Sequence, residues 1–184
     1  TYFWSVQTVD DGYAQSAWSQ EQILNIRRFV SSEQRLRAFN EAAMSWGDVD
    51  ADGDFDLAIM GQNRSGDAQS LFYDNNSGVL VADEEAGLIA MSNGDVAWGD
   101  YDNDGDLDLY IGNETSRTLR APSQLFRNNG DGTFTDLAPF AGVMNHGYAK
   151  AVIWGDYDGD RLLDLYVSNS GGNNRLYRNT GRGT

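Results

Sequence analysis

Three stretches of the chain alternate apolar and polar residues with a period of two: Asp56-Leu57-Ala58-Ile59, Asp108-Leu109-Tyr110-Ile111 and Asp164-Leu165-Tyr166-Val167. That period sends successive side chains to opposite faces, so each stretch reads as a β-strand. Another short apolar run precedes each one, as in Asp95-Val96-Ala97-Trp98 and Ala151-Val152-Ile153-Trp154. Downstream, Leu71-Phe72, Leu125-Phe126 and Leu176-Tyr177 each lead into a turn: Asn75-Asn76-Ser77-Gly78, Asn129-Gly130-Asp131-Gly132 and Thr180-Gly181-Arg182-Gly183. Asn and Gly supply the positive φ that tight hairpins need. Leu80 and Phe134 then open a further strand, and two units close on the related phrases Glu85-Ala86-Gly87-Leu88 and Phe140-Ala141-Gly142-Val143. The pattern thus predicts four short strands per unit, repeated along the chain.

Between the first and second strand of each unit stands a ladder of aspartates. The first runs from Trp46-Gly47-Asp48 through Asp50, Asp52, Gly53 and Asp54 to Asp56. The second runs from Trp98-Gly99-Asp100 through Asp102, Asp104, Gly105 and Asp106 to Asp108. The third runs from Trp154-Gly155-Asp156 through Asp158, Gly159, Asp160 and Arg161 to Asp164. Counting the first aspartate of each loop as position 1, carboxylates recur at positions 1, 3, 5 and 9. Hard oxygen donors at this density suit a hard cation, and calcium accepts six to eight of them; without a cation they repel one another. The ladders begin 52 and 56 residues apart, a spacing typical of arrays and propellers. Four antiparallel strands per repeat of this length make an all-β chain of β-propeller-type blades. A blade cannot cover both its faces alone, so the tryptophans and the Leu, Ile and Val positions are expected to fill the spaces between blades. An EF-hand shares the early ligand spacing but needs a glutamate at position 12 and flanking helices. Here position 12 is Ile59, Ile111 or Val167, inside strand patterns.

Ladder, strand and turn together resemble the FG-GAP/VCBS repeats of the integrin α-chain propeller and of many bacterial secreted proteins. The resemblance covers about residues 42–184, and Trp98 to Asn113 and Gln124 to Asp136 are most similar to the VCBS-type subgroup. It implies a propeller, usually extracellular, with one calcium per ladder loop. The ligands it implies are the side chains at positions 1, 3, 5 and 9 and the carbonyl at position 7, that is, the carbonyls of Asp54 and Asp106 in the first two loops. Loop three departs from the pattern: Arg161 stands where Gly53 and Gly105 stand, and Gly159 comes two positions early. A side chain is strained at positive φ, so a weaker site or a distorted loop is expected there. The cofactor reading is therefore two well-formed calcium sites and a weaker third. The Gly-Ala-Pro phrase that names the family is absent.

Two domains are expected, an N-terminal segment over 1–45 and three repeats over 46–184. Tyr2–Val9 is aromatic and β-branched and reads as a strand. Ile23, Ile26, Val30, Leu36, Phe39 and Ala43 fit a helical stripe, with Ser19 and Ser32 as caps; a degenerate blade without a ladder is the alternative. Thr1 opens the chain without a signal peptide, as in a processed chain or a fragment. Gly183-Thr184 falls where the last blade's outer strand would begin, and Tyr2–Val9 is a candidate to fill that edge. Filling it within one chain closes a small ring, filling it between chains gives strand exchange and a polymer, and a piece of a larger propeller is the third option.

Charge narrows the function. The net charge is −15, and fourteen of the 28 acids lie in the ladders. Nucleic acid, which calls for a basic footprint, is not expected as a partner. No run of eighteen apolar residues exists, so membrane insertion by a helix is not expected. The chain has no cysteine, which removes disulfides, thiolate metal sites and a thiol nucleophile. His146 is the one histidine, and no nucleophile–base constellation can be assembled around it. The expectation is a non-enzymatic, calcium-stabilised extracellular module with a structural or adhesive role. Its partners would be proteins or glycans at the cell surface, or copies of itself. The alternative is a subunit of an extracellular filament or surface layer joined by N-terminal strand exchange; a propeller piece of a secreted enzyme ranks below both. Asn63, Asn75 and Asn113 head Asn-x-Ser/Thr sequons, expected in loops open to a glycan.

Overall fold

The computed structural model describes residues 30–114 and 122–181, together with the backbone of two short strands, β1 (Tyr2–Trp4) and β2 (Gln22–Leu24). The chain divides into two compact units, Thr1–Glu33 and Gln34–Thr184. In the first, β1 pairs antiparallel with β2, Tyr2 opposite Leu24 and Trp4 opposite Gln22. The remainder of the expected strand Tyr2–Val9 lies outside the described residues.

The second unit consists of antiparallel sheets built in chain order. Sheet one holds β3 (Asn40–Gly47), β4 (Asp56–Gln62), β5 (Ala68–Asn76) and β6 (Val79–Asp83). Sheet two holds β7 (Asp95–Gly99), β8 (Asp108–Gly112), β9 (Gln124–Asn128) and β10 (Phe134–Asp136). One helical turn, α1 (Ala138–Ala141), follows. Sheet three holds β11 (Tyr148–Gly155), β12 (Asp164–Ser170) and β13 (Arg175–Tyr177). In each sheet the ladder joins the first two strands, and the register there is the same: Gly47 opposite Asp56, Gly99 opposite Asp108, Gly155 opposite Asp164. These are the blades the periodicity predicts. Sheet three has three strands among the described residues, and β1, the candidate for its outer edge, is described with β2 as its partner.

The helical reading of the segment before the first ladder does not hold where it is described. Gln22–Leu24 is strand, residues 30–39 form no regular element, and Ala43 lies in β3 opposite Met60. Val30 and Leu36 are exposed, whereas Phe39 packs beside Leu57, Leu71 and Tyr73. Side-chain bonds hold the stretch extended. Gln34 Nε2 donates to the Gly78 carbonyl at 2.7 Å, its Oε1 accepts from the Leu80 N–H at 2.8 Å, and the Arg37 N–H donates to the Tyr73 hydroxyl at 2.9 Å. Contacts along the edge of sheet one outweigh the weak local helical preference.

The cores lie between sheets. Ala58 and Met60 of sheet one meet Val96, Leu109, Ile111 and Phe126 of sheet two, and Tyr110 and Leu125 of sheet two meet Val152, Leu165 and Val167 of sheet three. Burying a large apolar side chain contributes about 1.5–3 kcal/mol, so these shared layers make each blade depend on its neighbour. Tryptophans lock the stacking as expected. Trp98 Nε1 donates to the Ser45 carbonyl at 3.1 Å, and Trp154 Nε1 donates to the Ala97 carbonyl at 3.2 Å. Each ring rests on the ladder glycine of the preceding blade: a Cβ on Gly47 would sit 2.9 Å from Trp98, and one on Gly99 only 2.6 Å from Trp154. Gly155 has nothing within 4 Å among the described residues, and the neighbouring Ile153 is 62% exposed. Trp46, with no blade described before it, is 54% exposed.

Candidate metal-binding loops

The three ladder loops share one backbone. Positions 4 and 6 both take positive φ: 59° and 95° at Ala51 and Gly53, 57° and 99° at Asn103 and Gly105, 79° and 72° at Gly159 and Arg161. The early glycine of loop three therefore occupies the other left-handed position, and the arginine takes the one its counterparts give to glycine. The distortion expected there is absent. The loop closes on its first aspartate like the others: Asp156 Oδ2 accepts from the Arg161 N–H at 2.9 Å, as Asp100 Oδ2 accepts from Gly105 and Asp48 Oδ2 from Gly53, both at 3.2 Å.

Position 9 anchors each loop. Asp56, Asp108 and Asp164 are fully buried. Oδ2 of each accepts from the N–H at position 2, which is Val49, Tyr101 or Tyr157, at 2.8–3.2 Å. Oδ1 accepts from the N–H of Asn75, Asn128 or Asn179 at 2.7–3.0 Å. The side chains of these asparagines reach further. Asn128 Nδ2 donates to the Val49 carbonyl of loop one at 3.1 Å, and Asn179 Nδ2 donates to the Tyr101 carbonyl of loop two at 2.7 Å. Asn128 and Asn179 thus tie their own loops to that of the preceding blade. Sequence reading passed over them because they look like ordinary turn residues. They also fix a different alignment of β5. Leu57, Leu109 and Leu165 face Tyr73, Phe126 and Tyr177, so Phe72-Tyr73, not Leu71-Phe72, corresponds to Leu125-Phe126.

The loops gather three carboxylates each. Asp48, Asp50 and Asp56, then Asp100, Asp102 and Asp108, then Asp156, Asp158 and Asp164 offer oxygens lying within 4.8 Å of one another. These are positions 1, 3 and 9 of the expected ligand set. The position-5 residues Asp52, Asp104 and Asp160 are outside these groups, and so are the position-7 carboxylates Asp54 and Asp106. Oδ1 of each position-5 aspartate instead accepts the N–H of position 7 at 2.8–3.0 Å, turning it onto the loop. Burial, opposed in part by two backbone N–H donors, pushes Asp108 up to about 7, and burial also raises Asp56 and Asp102. Neighbouring aspartates add to each rise. No positive charge opposes the rise at Asp56 or Asp108, and at Asp102 Arg127 opposes it only in part. Loops one and two therefore fit a divalent cation by donor type, spacing and charge.

Loop three differs in its company. Arg178 Nε donates to Asp158 Oδ2 at 2.6 Å and its Nη2 to Asp160 Oδ2 at 3.2 Å. Asp74 and Arg127 stand at the same register position in the other blades, one residue before the anchoring asparagine. Arg127 donates instead to Asn129 Oδ1 at 3.4 Å, and Asp74 accepts from Asn76 Nδ2 at 2.8 Å.

All three sequon asparagines are engaged in the fold. Asn75 Nδ2 donates to the Phe55 carbonyl at 2.8 Å, and Asn113 is buried. Asn63, half-buried like Asn75, donates its Nδ2 to Asp67 at 3.1 Å and accepts the Ser65 and Asp67 N–H groups on its Oδ1 at 2.8 and 3.0 Å. None of the three side chains is as open to a glycan as expected. His146 is exposed.

Comparison with known proteins agrees with this architecture. The sequence model of the FG-GAP-like repeat matches residues 115–167, a stretch that includes loop three and most of β12. Human cartilage acidic protein 1 is 38% identical over 71 residues, which is 38% of this chain and 10% of that protein. The mouse protein of the same name is 37% identical over 71 residues, and that of Xenopus tropicalis is 33% identical over 95, half of this chain and 14% of that protein. The chain thus spans about a tenth of the curated relatives it matches. The match to the FG-GAP-like repeat covers residues 115–167, from the later part of blade two into β12 of blade three.

Proposed function

We propose that this is a calcium-binding, extracellular repeat module with a structural or adhesive role and no catalytic activity. The observation that carries the reading is the recurrence of one carboxylate triad on one backbone in three successive blades. Asp48, Asp50 and Asp56 would hold calcium in loop one, Asp100, Asp102 and Asp108 in loop two, and Asp156, Asp158 and Asp164 more weakly in loop three. Calcium would cancel the repulsion inside each loop and fix position 9, to which the anchoring asparagine is bonded. Ion binding and blade stacking would then stabilise each other. Extracellular calcium modules commonly have Kd values of about 10⁻⁴–10⁻³ M, suited to external calcium. The names of the matched relatives, proteins of cartilage, support an extracellular setting. With no histidine or cysteine constellation and an acidic surface, the partners proposed are proteins or glycans outside the cell, or copies of the chain, not nucleic acid.

The deciding experiment is thermal unfolding of the chain in millimolar calcium and in EDTA. A higher Tm in calcium that magnesium does not reproduce is expected. Identical transitions in calcium and in EDTA would remove the calcium reading.

A further inference from the structure

We infer that loop three carries its own cation: the Arg178 guanidinium pairs with Asp158 and Asp160 and offsets part of their charge, so a divalent ion fills this loop only in competition with it. The inference rests on the calcium reading for loops one and two and concerns what sets the order of filling.

The argument starts from the equivalence of three positions. Asp74, Arg127 and Arg178 each follow the residue that faces the first leucine of the second strand, and each precedes an asparagine whose N–H caps the position-9 aspartate. This places all three side chains beside their own ladders. In blade one the residue is an acid, Asp74, which accepts from Asn76 Nδ2 and brings no positive charge to the ladder. In blade two it is an arginine whose hydrogen bond goes to Asn129 and not to a ladder aspartate. In blade three the arginine reaches the ladder, its Nε on a position-3 oxygen and its Nη2 on a position-5 oxygen. A guanidinium presents several donors in a fixed plane and can bridge two carboxylates, which a point charge at that distance cannot do as well.

Asp158 belongs to the triad that a metal would use, so the two cations compete for one ligand. Loop backbone does not explain a weaker third site, since Arg161 adopts the same left-handed conformation as Gly53 and Gly105. The difference lies outside the loop, on the strand that returns beneath it. Exposed ion pairs are individually modest, and two acting together correspond to about a tenfold loss of ion affinity.

Calorimetric titration of the full chain with calcium tests this. Wild type should show two tighter binding steps and a third at least tenfold weaker; Arg178→Gln should bring the third step level with the others, and adding Asp158→Asn should remove it again. Asp74→Arg, which transplants the bridging group, should weaken one of the two tight steps. Three steps of like affinity in wild type, or a third step that Arg178→Gln leaves unmoved, would overturn the inference while leaving calcium binding intact. If wild type binds no calcium at all, the calcium reading falls. The inference is then decided by Tm in EDTA, where Arg178→Gln should lower it and Arg127→Gln should not; equal Tm values for the two would overturn it.

Discussion

Loops two and three have nearly superimposable backbones and opposite surroundings. Loop two keeps glycine at position 6, is bonded at Tyr101 by Asn179 of blade three, and leaves Asp108 raised to about 7 with no base bonded to its triad among the described residues. Loop three has an arginine at position 6, is more exposed, and has Arg178 bonded across two of its aspartates. The motif letters alone suggest that the loops differ in shape. The structure shows that they share a shape and differ in charge balance, and that the deciding residue lies on β13's continuation, outside the motif. A ladder is thus read correctly only together with the strand that hydrogen-bonds its last aspartate.

Four measurements would break or sharpen this comparison. The largest difference should come from the ladder glycines. Gly99→Val drives a side chain into Trp154 and is expected to cost about 1–3 kcal/mol or more, whereas Gly155→Val should stay within about 0.5 kcal/mol; urea unfolding of both variants decides. Next comes the ion itself. At a calcium excess of ~100-fold over Kd, each filled loop adds about 2.7 kcal/mol. Asp102→Ala should therefore reduce the calcium-induced rise in Tm more than Asp158→Ala, and equal reductions would contradict the contrast between the loops. Third, Asn128→Ala leaves the Val49 carbonyl without its side-chain donor inside a buried joint, for an expected loss of about 1–3 kcal/mol. Asn179→Ala, at a more open joint, should cost less in the same chemical denaturation. Smallest is Arg161→Gly, which relieves a side chain at φ 72° and should stabilise by about 1 kcal/mol or less. A destabilised Arg161→Gly would show that the arginine side chain makes a contribution of its own.

The legible and illegible parts of the chain separate along physical lines. Strand order, the place of each ladder and the role of Trp98 and Trp154 follow from local pattern, because a two-residue period and a fixed turn are set by neighbouring residues. The segment 30–39 does not, since its apolar spacing suits a helix while bonds from Gln34 and Arg37 to residues some forty positions away hold it extended. The one-residue shift in β5 was hidden because Leu71-Phe72 and Phe72-Tyr73 are equally apolar pairs, and only the bond from Asn75 to Asp56 selects between them. The short helix α1 was hidden as well; Asp136, just before it, accepts the Ala138 N–H at 3.0 Å, at a place where blade one has no helix. At the site, positions 1, 3 and 9, named from the spacing, are the carboxylates that the fold gathers into one group. Position 5 carries the same residue type and, like Asp48 and Asp50, accepts a backbone N–H, so composition does not say which carboxylates converge. The bridging arginine was also out of reach, since neither Arg127 nor Arg178 differs in local sequence from an ordinary exposed arginine.

The open glycine at the end of β11 has a wider consequence. The socket that Gly47 and Gly99 offer to an indole is offered again at Gly155, beside the carbonyl of Ile153, the counterpart of the acceptors Ser45 and Ala97. The same glycine and the same kind of acceptor thus recur at this corner of all three described blades. A joint made of one glycine and one carbonyl is specified by two residues of a blade, so the same indole contact can be repeated wherever both recur.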